Sequence, residues 1–308
     1  MYDIIGDVHG HADALVALLK KLGYQQRDGA WRHPERQLIS VGDLIDRGPG
    51  QRETVDILRA MVEAGSAQVI MGNHELNAVA WVMPDGRGDY LRKHSVGNLK
   101  HHQAFLEQAK PNSDWYHSTL DWFRSLPLYL DLPTCRVVHA CWHKPSKQVV
   151  DDHTNADNQL CSEADWYAAH DRQHHLHRAV ETLCKGLEVD LPNGLHFHDK
   201  AGVKRTAMRT RWWHQHSNNY RDLALGVDPI DRLPDSDIPN TTMPGYEANK
   251  PVFFGHYWLR GTPHILTPQV ACLDWSVTQP KGRLVAYRFD GESRLDNDKF
   301  TWVMAIGS

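Results

Sequence analysis

The chain opens on a repeated pattern of apolar runs, glycines and amphipathic segments. Tyr2 to Ile5 is a short apolar run ending at Gly6, the pattern of a buried strand. From His11 to Leu22 the apolar residues Leu15, Leu18, Leu19 and Leu22 recur at helical spacing. Leu38 to Val41 predicts a second strand, ending at Gly42. Gln51 to Ala64 predicts a helix with Val55, Leu58 and Val62 on one side. Gln68 to Met71 predicts a third strand before Gly72, and Asn73 to Val82 a helix stopped by Pro84. Each strand ends in glycine, and polar residues able to bind ligands follow. In open α/β sheets, ligands sit beyond the carboxyl ends of the strands. Three such loops in succession point to one shared site.

Further along, the pattern changes. Asp114 to Ser125 reads as helix, and Leu128 to Leu130 and Arg136 to His139 as strands. Residues 151–250 are polar, rich in His, Asp and Asn, and hold the loop-like stretch VDPIDRLPDSDIPN. They read as a cap or insertion that shapes the substrate site. The α/β pattern returns at Pro251 to Gly255, then at Val270 to Leu273, Arg283 to Phe289 and Phe300 to Ala305. The last runs are closely spaced and predict hairpins. The expected division is therefore a core of residues 1–150 and 251–308, with 151–250 as the cap.

Composition narrows the function classes. Hydrophobic residues make up 41% of the 308, enough for a sizeable core. Lys and Arg number 34 against 38 Asp and Glu, so the basic surplus of a nonspecific nucleic-acid binder is missing. Five cysteines form no CxxC pair, which predicts free thiols in a reducing cytoplasm. No signal peptide is expected at the start of the sequence, and no apolar run is long enough to predict a membrane span.

The 21 histidines pose the chemical question. In GDVHG, Asp7 and His9 lie two apart in a turn after a strand, so one carboxylate oxygen and one imidazole nitrogen can reach a single cation. Asp7 as a helix cap explains the same motif equally well. In GDLIDRGPG, Asp43 repeats the first geometry, and its carboxylate can bridge two cations. Asp46 and Arg47 follow, and a salt-bridged turn is the plainer alternative. In GNHE, Asn73 offers a neutral carbonyl ligand, and His74 is placed to exchange a proton. His139 and His256 each follow an apolar strand-like run. Alone, such histidines are ordinary structural residues, but three ligand-bearing motifs already sit at equivalent strand ends.

Together GDVHG, GDLIDRG, GNHE, the strand-end His139 and FFGH resemble the calcineurin-like metallophosphoesterases, in family order. The nearest branch is the phosphoprotein-phosphatase type, which includes bacterial protein phosphatases and dinucleoside-polyphosphate hydrolases. The resemblance implies a four-layer α-β-β-α sandwich, with two mixed β-sheets flanked by helices. It implies two divalent cations, Mn²⁺ first and Fe or Zn²⁺ as alternatives, because imidazole ligands disfavour Mg²⁺. Asp7 and His9 would hold the first cation, Asp43 would bridge, and Asn73, His139 and His256 would hold the second. His74 would protonate the leaving oxygen, Asp46 would orient His74, and Arg47 would grip the phosphate. The last motif reads GHYW where many members have GHxH, and Trp258 is no ligand.

Within 200–213, the stretch KAGVKRTAMRTRWW offers Arg205, Arg209 and Arg211 as a second phosphate-binding arginine. Arg211 is preferred because Trp212 and Trp213 adjoin it. The expected substrate is a phosphorylated protein or a nucleotide. The first reading is hydrolysis of phosphomonoesters, as by a protein phosphatase. It leans on Asp46, which symmetrical diadenosine-tetraphosphate hydrolases often lack. The alternative is hydrolysis of dinucleoside polyphosphates or related anhydrides, with an aromatic such as Trp212 stacking on a base. A catalytically silent metal-binding scaffold is the third.

Overall fold

The computed structural model describes residues 1–198, 202, 204–214, 217–239, 245–246 and 248–305. Two mixed sheets carry the fold. In the first, Tyr2–Ile5, Gln37–Ser40 and Ala67–Val69 run parallel, and Tyr2–Ile5 also pairs antiparallel with Arg283–Phe289. Asp274–Trp275 and Phe300–Met304 complete that sheet by pairing with Arg283–Phe289. In the second, Arg136–Val138, Val252–Phe254 and Val270–Cys272 are parallel, and Tyr129–Asp131 is antiparallel to the first of them.

The layering follows from side-chain alternation along the strands. Ile4 and Ile39 of the first sheet meet Val137, Phe253 and Ala271 of the second in one buried cluster. Their neighbours Ile5, Leu38, Val138 and Phe254 point the other way, into the cluster that includes the helices. Buried on both faces, these strands are almost wholly apolar. The outer layers are α1 (Ala12–Leu22), α2 (Gln51–Glu63), α3 (Asn73–Val82), α4 (Val96–Ala109), α5 (Asp114–Arg124), α6 (Lys144–Asp151), α7 (Glu163–His170) and α8 (His175–Lys185). In α1 the predicted Leu15, Leu18, Leu19 and Leu22 are the buried stripe, and Gly23 ends the helix in left-handed backbone at φ 94°.

Register sets the site. Ile5 lies opposite Ser40, Ser40 opposite Val69, and Phe254 opposite Cys272. The loops that follow these strands therefore leave the two sheets side by side.

The described residues of 151–250 hold more regular structure than a polar stretch suggests. Leu176, Ala179, Val180 and Leu183 bury one face of α8 at helical spacing. That signal is masked in the sequence by the surrounding His and Arg. The Leu183 carbonyl accepts from Ala140 N at 2.8 Å, tying α8 to the loop after His139. Trp212 is fully buried and donates from Nε1 to the Ala140 carbonyl at 2.9 Å. It is core, so the expectation that it stacks on a nucleobase is corrected. Of the 200–213 stretch, residues 200, 201 and 203 lie outside the described residues.

Candidate metal centre

The strand-end loops turn on unusual backbone. His9, Asp43, Asp46, Arg47, His256 and Trp258 all have positive φ, between 47° and 77°. They are six of the twelve described non-glycine residues in that region. Such backbone costs about 1–3 kcal/mol per residue and concentrates where geometry serves chemistry. The flanking glycines are a packing requirement. A Cβ on Gly255 would lie 1.9 Å from Asp7 Oδ1, and one on Gly72 would lie 2.3 Å from Asp43 Oδ1.

Six side chains from five loops converge. His9 Nε2 is 3.7 Å from Asp43 Oδ2 and 4.0 Å from Asp7 Oδ2. His139 Nε2 is 3.4 Å from Asp43 Oδ1 and 3.2 Å from Asn73 Oδ1. His256 Nδ1 is 2.8 Å from the same Asn73 oxygen, and its backbone N–H donates to Asp7. Two groups of ligand atoms are compact enough for a cation: His9, Asp43 and His74, and Asp43, His139 and His256. Asp43 belongs to both.

Outer partners orient the imidazoles. His9 Nδ1–H donates to the Ile45 carbonyl at 3.0 Å, and His139 Nδ1–H to the Val41 carbonyl at 2.7 Å. Each bond turns Nε2 toward the carboxylates, the arrangement of metal-binding histidines. Glu75 clamps the loops together: its carboxylate accepts from the backbone N–H groups of Asp43, Leu44 and Gly72. Asp274 is a further buried carboxylate, accepting from the N–H groups of Trp258 and Ser276.

These residues fit divalent cations on two observations. His9 Nε2 and His256 Nε2 are buried with no hydrogen-bond partner. Asp7, Asp43, Glu75 and Asp274 are buried, and among the described residues none has a Lys or Arg within ion-pair distance. Buried carboxylates in such numbers call for a cation. The electrostatics agree. Burial and the Asp274 charge raise the Asp7 pKa well above the usual carboxylate range. Burial alone opposes a charged His139, but Asp43 and then Asp7 outweigh it and raise its pKa to about 10. The same carboxylates that hold that proton can hold a metal. Burial and the neighbouring His74 push His9 down to about 3.

His74 differs from the other histidines. Its Nδ1 meets Asp46 Oδ2 at 2.5 Å, and Asp46 Oδ1 accepts from His102 Nδ1 at 2.9 Å. Its side chain is 11% exposed, against 2% for His9 and 0% for His139. Burial disfavours the imidazolium, but the Asp43 charge and the Asp46 hydrogen bond outweigh it and raise the pKa. Arg47 is exposed, with its guanidinium 4.3 Å from the centre of the Trp258 ring.

Arg211 is exposed, and among the described residues no contact joins its side chain to this cluster. The neighbouring Arg209, on the strand Ala207–Thr210, is after burial the largest cause of the lowered His256 pKa. Strand alternation cannot separate the two, because residues two apart face the same way. His102, Glu75 and Asp274 were not singled out in the sequence. Glu75 had a readable signal, because it stands at the third position of a helix beginning after Gly72. His102 had none, since its partner lies 56 residues away.

A model of the calcineurin-like phosphoesterase family matches residues 2–191. An asymmetrical bis(5'-nucleosyl)-tetraphosphatase from Oceanobacillus iheyensis is 34% identical over 139 residues, which are 45% of this chain and 54% of the relative. The corresponding Bacillus subtilis protein is 43% identical over 74 residues, 24% of this chain and 30% of the relative. The matched region thus spans about half or less of these curated relatives. Among solved structures, a candidate diadenosine tetraphosphatase aligns over 100% of this chain and 94% of its own, with TM-score 0.51 and 17% identity. A serine/threonine phosphatase from Saccharomyces cerevisiae covers 100% of this chain and 80% of its own, with TM-score 0.50 and 16% identity. These two likenesses concern the fold.

Proposed function

We infer the activity from the premise that the chain belongs to the calcineurin-like phosphoesterase family. The reading is a metal-dependent hydrolase of phosphoanhydrides in dinucleoside polyphosphates or related nucleotides. The observation that carries the chemistry is the pair of ligand groups sharing Asp43. The substrate class is supported by the relatives named as bis(5'-nucleosyl)-tetraphosphatases. This reverses the order that the sequence suggested, in which phosphomonoesters came first.

Asp7 and His9 would hold one cation, Asn73, His139 and His256 would hold the other, and Asp43 would serve both. The donor set of carboxylate, amide and imidazole suits Mn²⁺ first, with Fe or Zn²⁺ as alternatives. Divalent cations, when bound, acidify water and neutralise phosphoryl charge. The remaining steps fall to side chains. Arg47 grips the phosphate with paired N–H donors. His74 delivers a proton from Nε2 to the departing oxygen. Asp46 keeps that imidazole charged and oriented through Nδ1, and His102 fixes Asp46 from behind. The partial exposure of His74 favours this role over that of a third ligand, because an acid must meet substrate.

The His74–Asp46 pair also favours the second reading, phosphomonoester hydrolysis, since an alkoxide needs an acid more than an anhydride does. The discriminating experiment compares diadenosine tetraphosphate, p-nitrophenyl phosphate and a phosphopeptide with Mn²⁺ present. A kcat/KM larger by orders of magnitude for the nucleotide supports the first reading. The opposite order overturns it in favour of the second. A metal-loaded protein inert to all three points to a silent scaffold.

A further inference from the structure

Beside Arg47 lies a cavity of about 380 Å³, lined by Arg47, Lys100, His101, Gln103, Ala104 and Glu107. It adjoins the catalytic pair, because His101 precedes His102 on α4 and His102 bonds Asp46. After Arg47 and Lys100, a third cation lies within electrostatic reach of this lining. Arg92 lies in the connection between α3 and α4, and its charge is felt both by His101 and from Asp46. The geometry points to a second anion subsite, formed by Arg92, Lys100 and His101, that holds phosphates beyond the one cleaved at the metal centre. It rests on the polyphosphate reading above and deepens it.

The connection that carries Arg92 is built as a rigid support. The Arg92 backbone N–H donates to the Ala80 carbonyl at 3.1 Å, and Leu91 N–H donates to Met83 at 2.8 Å. Two residues on, the His94 ring is stacked between Trp81 and Tyr90, with centroids 3.8 Å and 4.2 Å away. His94 Nε2 also donates to the Trp81 carbonyl at 2.8 Å. This packing holds in place the backbone that carries Arg92, which limits the positions open to its side chain.

The charge in this corner is available to a ligand. Arg92 Nε is buried without a hydrogen-bond partner. Among the described residues, neither Arg92 nor Lys100 has a carboxylate within ion-pair distance. Two nearby carboxylates are engaged elsewhere, and the third, Glu107, is part of the cavity wall. Asp46 is held by His74 and His102, Glu181 by Lys185, and Glu107 by Gln103 at 2.7 Å. Burial, and then the positive charges of Arg47, His74 and Arg92, lower the His101 pKa, so the ring serves this corner as an N–H donor beside the cations. A chain of phosphates gripped by Arg47 can continue into this corner, whereas a single phosphate held at the metal centre does not extend to it. The ligand class is a linear polyphosphate, free or nucleotide-borne.

The test is binding to the Mn²⁺-loaded full chain, measured by calorimetry with inorganic phosphate and with tripolyphosphate at matched free Mn²⁺. The wild type should prefer tripolyphosphate by about a hundredfold or more. Arg92→Ala, which removes a charge-assisted hydrogen bond, should cut the ratio about tenfold. Arg92→Lys should recover part of it. The exposed Lys100→Ala should lower the ratio too, and it serves if Arg92→Ala fails to fold. A ratio unchanged in these variants overturns the subsite. If the ratio falls but the wild type ignores diadenosine tetraphosphate, the substrate reading fails and the subsite stands.

Discussion

Replacing Asp46 by asparagine separates proton delivery from metal binding. The carboxylate accepts from two imidazoles, His74 through Oδ2 and His102 through Oδ1. An amide has one oxygen and one NH₂, so in either orientation one imidazole N–H faces another donor. At least one charge-assisted bond is lost, about 1.5–3 kcal/mol. With tenfold in rate per about 1.4 kcal/mol, kcat should fall roughly ten- to hundredfold where protonation of the leaving oxygen limits the rate. The loss should be largest for an alkyl phosphate and smaller for p-nitrophenyl phosphate, whose leaving group is already acidic. Steady-state kcat across leaving groups of graded pKa is the assay, with metal content measured on the same samples. Equal loss for every leaving group, or loss of the metal, would refute the reasoning.

Asp43→Asn removes the charge shared by both ligand groups, so it should cost metal content itself, read by atomic emission after gel filtration. Full two-metal occupancy would contradict the shared role. Gly255→Ala places a methyl 1.9 Å from Asp7 Oδ1, and backbone must move to relieve it. Weaker metal retention by at least tenfold is expected, and unchanged retention would show that the loop yields freely. Asp290 is held by hydrogen bonds from Lys299 and Arg36, which lower its pKa to about 2. Its stabilising contribution is present above the ordinary carboxylate range and lost as pH falls toward 2. Asp290→Asn should therefore lower Tm at pH 7 but not near pH 2; an offset that persists at both would deny the linkage.

Much of this cluster was legible before folding, because each candidate ligand is anchored one to four residues beyond a strand end. A strand fixes where its last residue points, so a motif placed there has a known direction. The boundaries shifted slightly: the expected Leu38 to Val41 is Gln37–Ser40, and Gln68 to Met71 is Ala67–Val69. What stayed hidden was what depends on tertiary packing. His102 lies mid-helix and meets Asp46 only after α4 docks. Trp212 looked like an available aromatic, and burial against Phe254 removed it from the surface. Choosing among Arg205, Arg209 and Arg211 needed knowledge of what faces them. Arg92 had no local motif at all, since its significance arises from the stack that supports it.

The contact between His256 and Asp7 bridges 249 positions of the chain. During synthesis, the N-terminal motifs emerge long before the residue whose backbone steadies Asp7. A nascent chain thus carries the Asp7 acid without its architecture, and the centre can be completed only once the strand Val252–Phe254 has folded back onto the N-terminal motifs.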